Sequence, residues 1–150
     1  TYVQKVAIDA DQMFFKFQTD GDNSEVFTDF TKLHFVHSIG GTDYISQLPI
    51  TVTANTTYKL RIVVDSGRKA TIFVNNVQYH ITTTSGSTGG TAVTAIGTTG
   101  TNQAVQTTAL TIGPSGPPPG LIPYIGIEAG DAAAASMTVH YQKISRVLFE

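Results

Sequence analysis

Residues 57–81 read TYKLRIVVDSGRKATIFVNNVQYHI. In this stretch Tyr58, Leu60, Ile62 and Val64 alternate with Lys59, Arg61 and Val63. Side chains on a strand point to opposite faces in turn, so the apolar set lies on one side and the two cations on the other. Asp65-Ser66-Gly67-Arg68 then supplies turn chemistry: Asp bonds its own backbone two residues on, and Gly67 tolerates positive φ at no steric cost. A second strand resumes with Ala70, Ile72 and Val74 on one face and Thr71 and Phe73 on the other. Asn75-Asn76 follows, and Asn accepts the left-handed conformation that a two-residue hairpin demands. Val77, Tyr79 and Ile81 alternate with Gln78 and His80 as a third strand. Three antiparallel strands with one apolar face need a second layer to cover it.

The rest of the composition fits that frame. A chain of 150 residues is expected to fold as one domain, 1–150, with a core large enough to stand without disulfides. There is no cysteine, which excludes a disulfide framework and a thiol nucleophile. Charged residues are 13% of the chain, against about 25% in an average protein. The net charge is −2 and no basic patch stands out, so neither nucleic acid nor an anionic membrane is expected as partner. No apolar run approaches the ~20 residues of a membrane helix. The sequence opens on Thr1 with no initiator Met and no signal peptide, which fits a fragment or a processed product.

Before the hairpins the pattern predicts further strands over 1–10, 13–17 and 32–39 and from Asp43. Met13, Phe15 and Phe17 share one face of the second of these. In KLHFVHSI, Leu33, Phe35 and His37 oppose His34, Val36 and Ser38. Pro49 marks an edge or irregular stretch before Ile50 and Val52. Beyond the hairpins, LIPYIGI (121–127), the alternation of Met137, Val139 and Tyr141, and ISRVLF (144–149) read as strands around a turn at 128–135. No segment has a helical period, so the expected fold is all-β: an antiparallel sandwich carrying one long insertion.

That insertion, residues 83–119, is built of Thr, Gly, Ser, Ala and finally Pro. From Ala70 through Ile127 there is no Asp, Glu, Lys or Arg. One reading is a long solvated loop. The other is a segment ordered against a sister subunit, because Val93, Ile96, Val105, Leu110 and Ile112 are apolar groups a free loop does not need. Charges are depleted from interface cores by the cost of desolvating them. These five residues are therefore the subunit-interface candidates.

Residues 57–65 (TYKLRIVVD), ATIFVNN (70–76), LIPYIGI (121–127) and 136–148 follow one another in an order that resembles the concanavalin A-like lectin/glucanase fold, also seen in laminin-G-like domains. Asn76 stands where such domains usually have Gly, and the insertion departs from their pattern. The wording is most similar to the version found in bacteriophage head-decoration proteins, head fibres and tail fibres. The resemblance covers about half the chain. It implies a jelly roll and a non-enzymatic structural role in the virion. The implied partners are its own copies, as a homo-oligomer such as a trimer, and other virion proteins. The alternative it implies is a carbohydrate-binding adhesin or tail-fibre domain that recognises host glycans.

Candidate chemistry is sparse. Enzymes of the resembled fold carry Glu-x-Asp-x-x-Glu on one strand, and nothing here matches it; glycoside hydrolysis needs two facing carboxyls. Asp9 and Asp11 sit where a strand breaks, and Glu128 is nearly alone, so no catalytic residue is expected. Asp20, Asp22, Asn23, Ser24 and Glu25 are hard oxygen donors in one loop, and Asp20, Asp22 and Glu25 are the calcium candidates. The EF-hand spacing fails, with Gly21 misplaced and Thr31 where a bidentate Glu belongs, so the loop reads first as an acidic turn and no cofactor is expected. His34 and His37 are three apart on a strand, hence on opposite faces, and cannot hold one ion together. There is no Trp for a sugar platform. Tyr44, Tyr79, Tyr124 and Tyr141 remain, and Tyr in an alternating strand is ordinarily core with its hydroxyl at the edge.

Overall fold

A computed structural model of the chain describes residues 11–18, 27, 29–86, 89–110 and 136–145. Among these residues the fold is all-β, with several sheets and no helix. The strands are β1 (Gln12–Lys16), β2 (Lys32–Ile39), β3 (Thr42–Thr51), β4 (Leu60–Val64), β5 (Ala70–Val74), β6 (Val77–Tyr79), β7 (Ile81–Thr82), β8 (Thr91–Ala92) and β9 (Gln103–Ala104). They form a four-stranded sheet in the order β1-β2-β3-β8, a three-stranded sheet β4-β5-β6 and a two-stranded sheet β7-β9.

The first sheet is antiparallel except at its β3–β8 edge, which is parallel. Its alternation places Leu33, Phe35 and Leu48 on the side that meets Ile72 and Val74 of the second sheet. Ile81 and Val93 complete this buried cluster, with Met13, Phe15, Ile50, Ile62 and Tyr79 packed around it. Phe35 is fully buried and meets Phe15 edge-on, with ring centroids 5.4 Å apart. Two sheets with a shared apolar core are consistent with a β-sandwich.

β2 is buried on both faces. On the side away from the core, Phe27 lies against His34, and the backbone of Gly90 crosses close by. Gly90 has φ +79, and a Cβ there would come within 3.0 Å of the Ile45 Cγ2, so both its conformation and its closeness require glycine. Pro49 lies in β3, beyond Ser46 and Gln47, the two residues that pair with β8, and the stretch is irregular as expected. The register between β2 and β3 shifts between Lys32 and His34, opposite Pro49, so a bulge accommodates the missing donor.

The second sheet follows the sequence reading in its first two strands, but the expected third strand is corrected: β6 ends at Tyr79, and Ile81 passes into β7, which pairs with β9 in a separate sheet. Leu60, Ile62 and Val64 lie opposite Val74, Ile72 and Ala70, and the β5 burial alternates as expected. Asn75 and Asn76 have φ 50 and 67, the two left-handed residues of a two-residue hairpin. At the β4–β5 turn the expectation for Gly67 is corrected: Arg68 takes the positive φ, at 63. Asp65 directs that turn. Its carbonyl accepts the Arg68 N–H at 3.0 Å, and its Oδ1 accepts the Lys69 N–H at 2.9 Å. The left-handed step then falls one residue after the glycine.

A second correction concerns the alternation at Met137, Val139 and Tyr141. Residues 136–145 form no strand and are exposed, Tyr141 at 67% and Ile144 at 66%. Alternation expresses a preference for extended backbone, but a strand exists only where a ladder partner is found, and none is present among the described residues. The strands expected over 1–10 and 121–127 lie outside the described residues, as do residues 146–149.

Candidate functional site

Over its described residues, 83–86 and 89–110, the neutral segment is not a free solvated loop. Through residue 110 it is bonded into its own chain. β8 adds to the edge of β3, and β9 pairs with β7. Ala95 bridges Tyr79, the His80 N–H donates to the Thr94 carbonyl at 2.9 Å, and the Ile96 N–H donates to the Gln78 carbonyl at 3.0 Å. These contacts cover the outer edge of β6. Further on, the Thr107 N–H donates to the Ala70 carbonyl at 3.0 Å and the Leu110 N–H to the Arg68 carbonyl at 3.1 Å. The segment thus takes the lane beside β5 where β6 has left it. Small Thr, Ala and Gly side chains permit this close approach, and the absence of charge lets the segment lie on an apolar core.

The five interface candidates divide accordingly. Val93 and Leu110 are buried at 3% and 1% in this chain's own core, which corrects their assignment to a subunit contact. Ile96 and Val105 stand exposed at 40% and 47%. Ile112 lies outside the described residues, as do Asp20, Asp22 and Glu25 of the calcium loop. Among the described residues no three of His, Cys, Asp and Glu gather as a metal-binding group. Of the tyrosines, Tyr79 packs against the core and Tyr44 stacks on His37 with centroids 4.7 Å apart. Tyr141 is exposed, and Tyr124 lies outside the described residues.

His34 and His37 are buried on opposite faces of β2, as their spacing requires. His34 Nε2 and His37 Nδ1 have no hydrogen-bond partner. Burial lowers the pKa of both, that of His37 to about 4, although the charge of nearby Asp43 works the other way. Both rings are buried, and that burial favours their neutral form.

The outward face of the second sheet was not singled out by its sequence, and it carries most of the chemistry. Strand pairing sets Arg61 beside Phe73, Phe73 beside Gln78, and Gln78 beside Ile96. Lys59 lies next to Asn75, and Val63 next to Thr71. The Arg61 guanidinium carbon stands 3.8 Å from the centroid of the Phe73 ring. His80 Nδ1 lies 3.2 Å from both the carbonyl oxygen and the hydroxyl of Thr94, so the folded-back segment fixes that ring. The signal was present in Lys59 and Arg61, two cations on one face of one strand. Their aromatic and amide neighbours appear only once the hairpin register is known.

Comparison with protein-family models, with curated proteins and with solved structures finds no match.

Proposed function

We propose that the chain is a non-enzymatic structural module of a bacteriophage particle. It is a concanavalin A-like jelly roll of the head-decoration or fibre type, at work in the virion. It acts through contacts with its own copies and with other virion proteins. The observation that carries this reading is the neutral segment: it is bonded into the sheets and yet presents Ile96 and Val105 outward from a fixed backbone. Apolar groups on a rigid, uncharged support suit a docking surface, since little entropy is lost and no charge is desolvated on contact.

The test is solution mass by light scattering for the intact chain and for Ile96→Lys with Val105→Lys. Removing the whole segment would confuse the result, because Val93 and Leu110 leave the core with it. An oligomer that becomes a folded monomer in the double variant supports the reading. A monomeric parent that also fails to join its particle partners refutes it.

A second reading, a carbohydrate-binding module, is favoured by a different observation. The outward face around Arg61 offers a cation over an aromatic ring, with the Gln78 amide at the neighbouring position of the next strand.

A further inference from the structure

We propose that the outward face of β4-β5-β6, centred on Arg61, binds a carboxylate-bearing saccharide; this deepens the carbohydrate reading and rests on it. The first argument is the balance of donors and acceptors. Lys59 and Arg61 contribute only donors, while Thr71 and Gln78 both donate and accept. Among the described residues, no carboxylate pairs with Lys59 or Arg61, and nothing holds the Gln78 amide. The nearest acid along the strand is Asp65, four residues and roughly 13 Å beyond Arg61. Its two oxygens are already engaged by the Lys69 N–H at 2.9 Å and the Gln106 side-chain amide at 3.1 Å. A face with surplus donors and positive charge fits a ligand rich in acceptors and negative charge.

The second argument is geometry. The Phe73 ring, 3.8 Å from the guanidinium carbon, limits the freedom of the Arg61 head, so its N–H fork is presented with less further loss of freedom. Such a fork is matched by the two oxygens of a carboxylate. Two strand spacings, about 10 Å, separate Arg61 from Gln78, so one ligand lying across the strands reaches both. The third argument concerns what else could lie there. A peptide that binds by adding a strand needs a sheet edge to satisfy its backbone, and this surface offers only side chains. On it β5 is flanked by β4 and β6, and the far edge of β6 is covered by Thr94–Ile96. A saccharide has no such requirement.

The experiment titrates the intact chain by calorimetry with trigalacturonic acid, its methyl ester, sialyllactose and poly-L-glutamate, at low and moderate salt. Variants Arg61→Gln and Arg61→Lys are measured beside it, with thermal melting to confirm folding. The expected result is binding of one or both acidic saccharides that weakens with salt, and loss of at least about tenfold in affinity on esterification and in Arg61→Gln. Arg61→Lys keeps the charge but not the fork and is expected to fall well below the parent. If no saccharide binds, the carbohydrate reading fails and the proposal with it. If saccharides bind equally well as esters, or without Arg61, that reading stands and this proposal is overturned. Binding of polyglutamate alone overturns it in favour of an acidic protein partner.

Discussion

Asn75 and Lys59 exchange two hydrogen bonds: the Asn75 N–H donates to the Lys59 carbonyl at 2.9 Å, and the Asn75 side-chain oxygen accepts the Lys59 N–H at 2.9 Å. The side chain thereby completes the last rung of the β4–β5 ladder while its backbone makes the left-handed turn, at φ 50. Asn75→Ala is expected to lose both the rung and the conformational tolerance, at about 1–2 kcal/mol. Asn76, at φ 67, needs only the backbone geometry, so Asn76→Gly is expected to be neutral or stabilising by up to about 1 kcal/mol. Urea midpoints of the two variants check this. Equal losses at both positions would show that the side-chain rung contributes nothing.

The neutral segment yields the sharpest mutational contrast. Leu110→Ala opens space beside β5 and Val93→Ala does so within the main cluster, and each is expected to cost about 2–4 kcal/mol. Ile96→Ala and Val105→Ala remove exposed groups and are expected to stay within about 0.5 kcal/mol. Chemical denaturation of the isolated chain decides between them. Comparable small effects at all four positions would mean that the segment is not built into the core.

These contrasts also show what was legible beforehand. The hairpins could be read because Leu60, Ile62, Val64, Ala70, Ile72 and Val74 repeat with period two and Asn75-Asn76 fixes their register. β2 could be read for the same reason, including the opposed faces of His34 and His37. The neutral segment could not. Its ladders are two residues long at β8 and β9, too short to leave a period, and its core residues Val93 and Leu110 are isolated in sequence. The alternation at 137–141 gave the opposite error, since period alone says nothing about a partner. The surface around Arg61 was half legible: its cations were visible, but Phe73 and Gln78 join them only through pairing across three strands.

The two buried histidines predict acid sensitivity. Their folded pKa values lie below the ordinary 6.5, that of His37 near 4, chiefly because burial disfavours the charged ring. The unfolded chain therefore takes up protons first as pH falls, and the folded state loses ground. Their contribution is complete above about pH 6.5 and declines from there toward pH 4, by on the order of 3 kcal/mol for His37. His37→Phe keeps the stack between Phe35 and Tyr44 and is expected to flatten the slope. Urea midpoints at pH 7.5 and 5.0 for parent and variant measure it. A parent midpoint that holds steady or rises on acidification would contradict the assignment.

The Thr107 hydroxyl provides the last test, because it separates burial from hydrogen bonding at one site. Its Oγ1 accepts the Ala70 N–H at 2.8 Å, and both residues are buried, at 4% and 0% exposure. β6 has already turned away at this point, so no strand neighbour replaces that acceptor. Thr107→Val preserves shape and adds apolar surface, which area alone would count as stabilising. It also leaves the Ala70 N–H unpaired in the core, at a cost of about 1–3 kcal/mol, and that cost is expected to prevail. Thr107→Ser keeps the oxygen and gives up one methyl group, so it is expected to fall by only about 1 kcal/mol. The order parent, then Ser, then Val in denaturant midpoint would establish the hydroxyl as the tie between the neutral segment and β5. Val at or above Ser would instead assign that tie to packing.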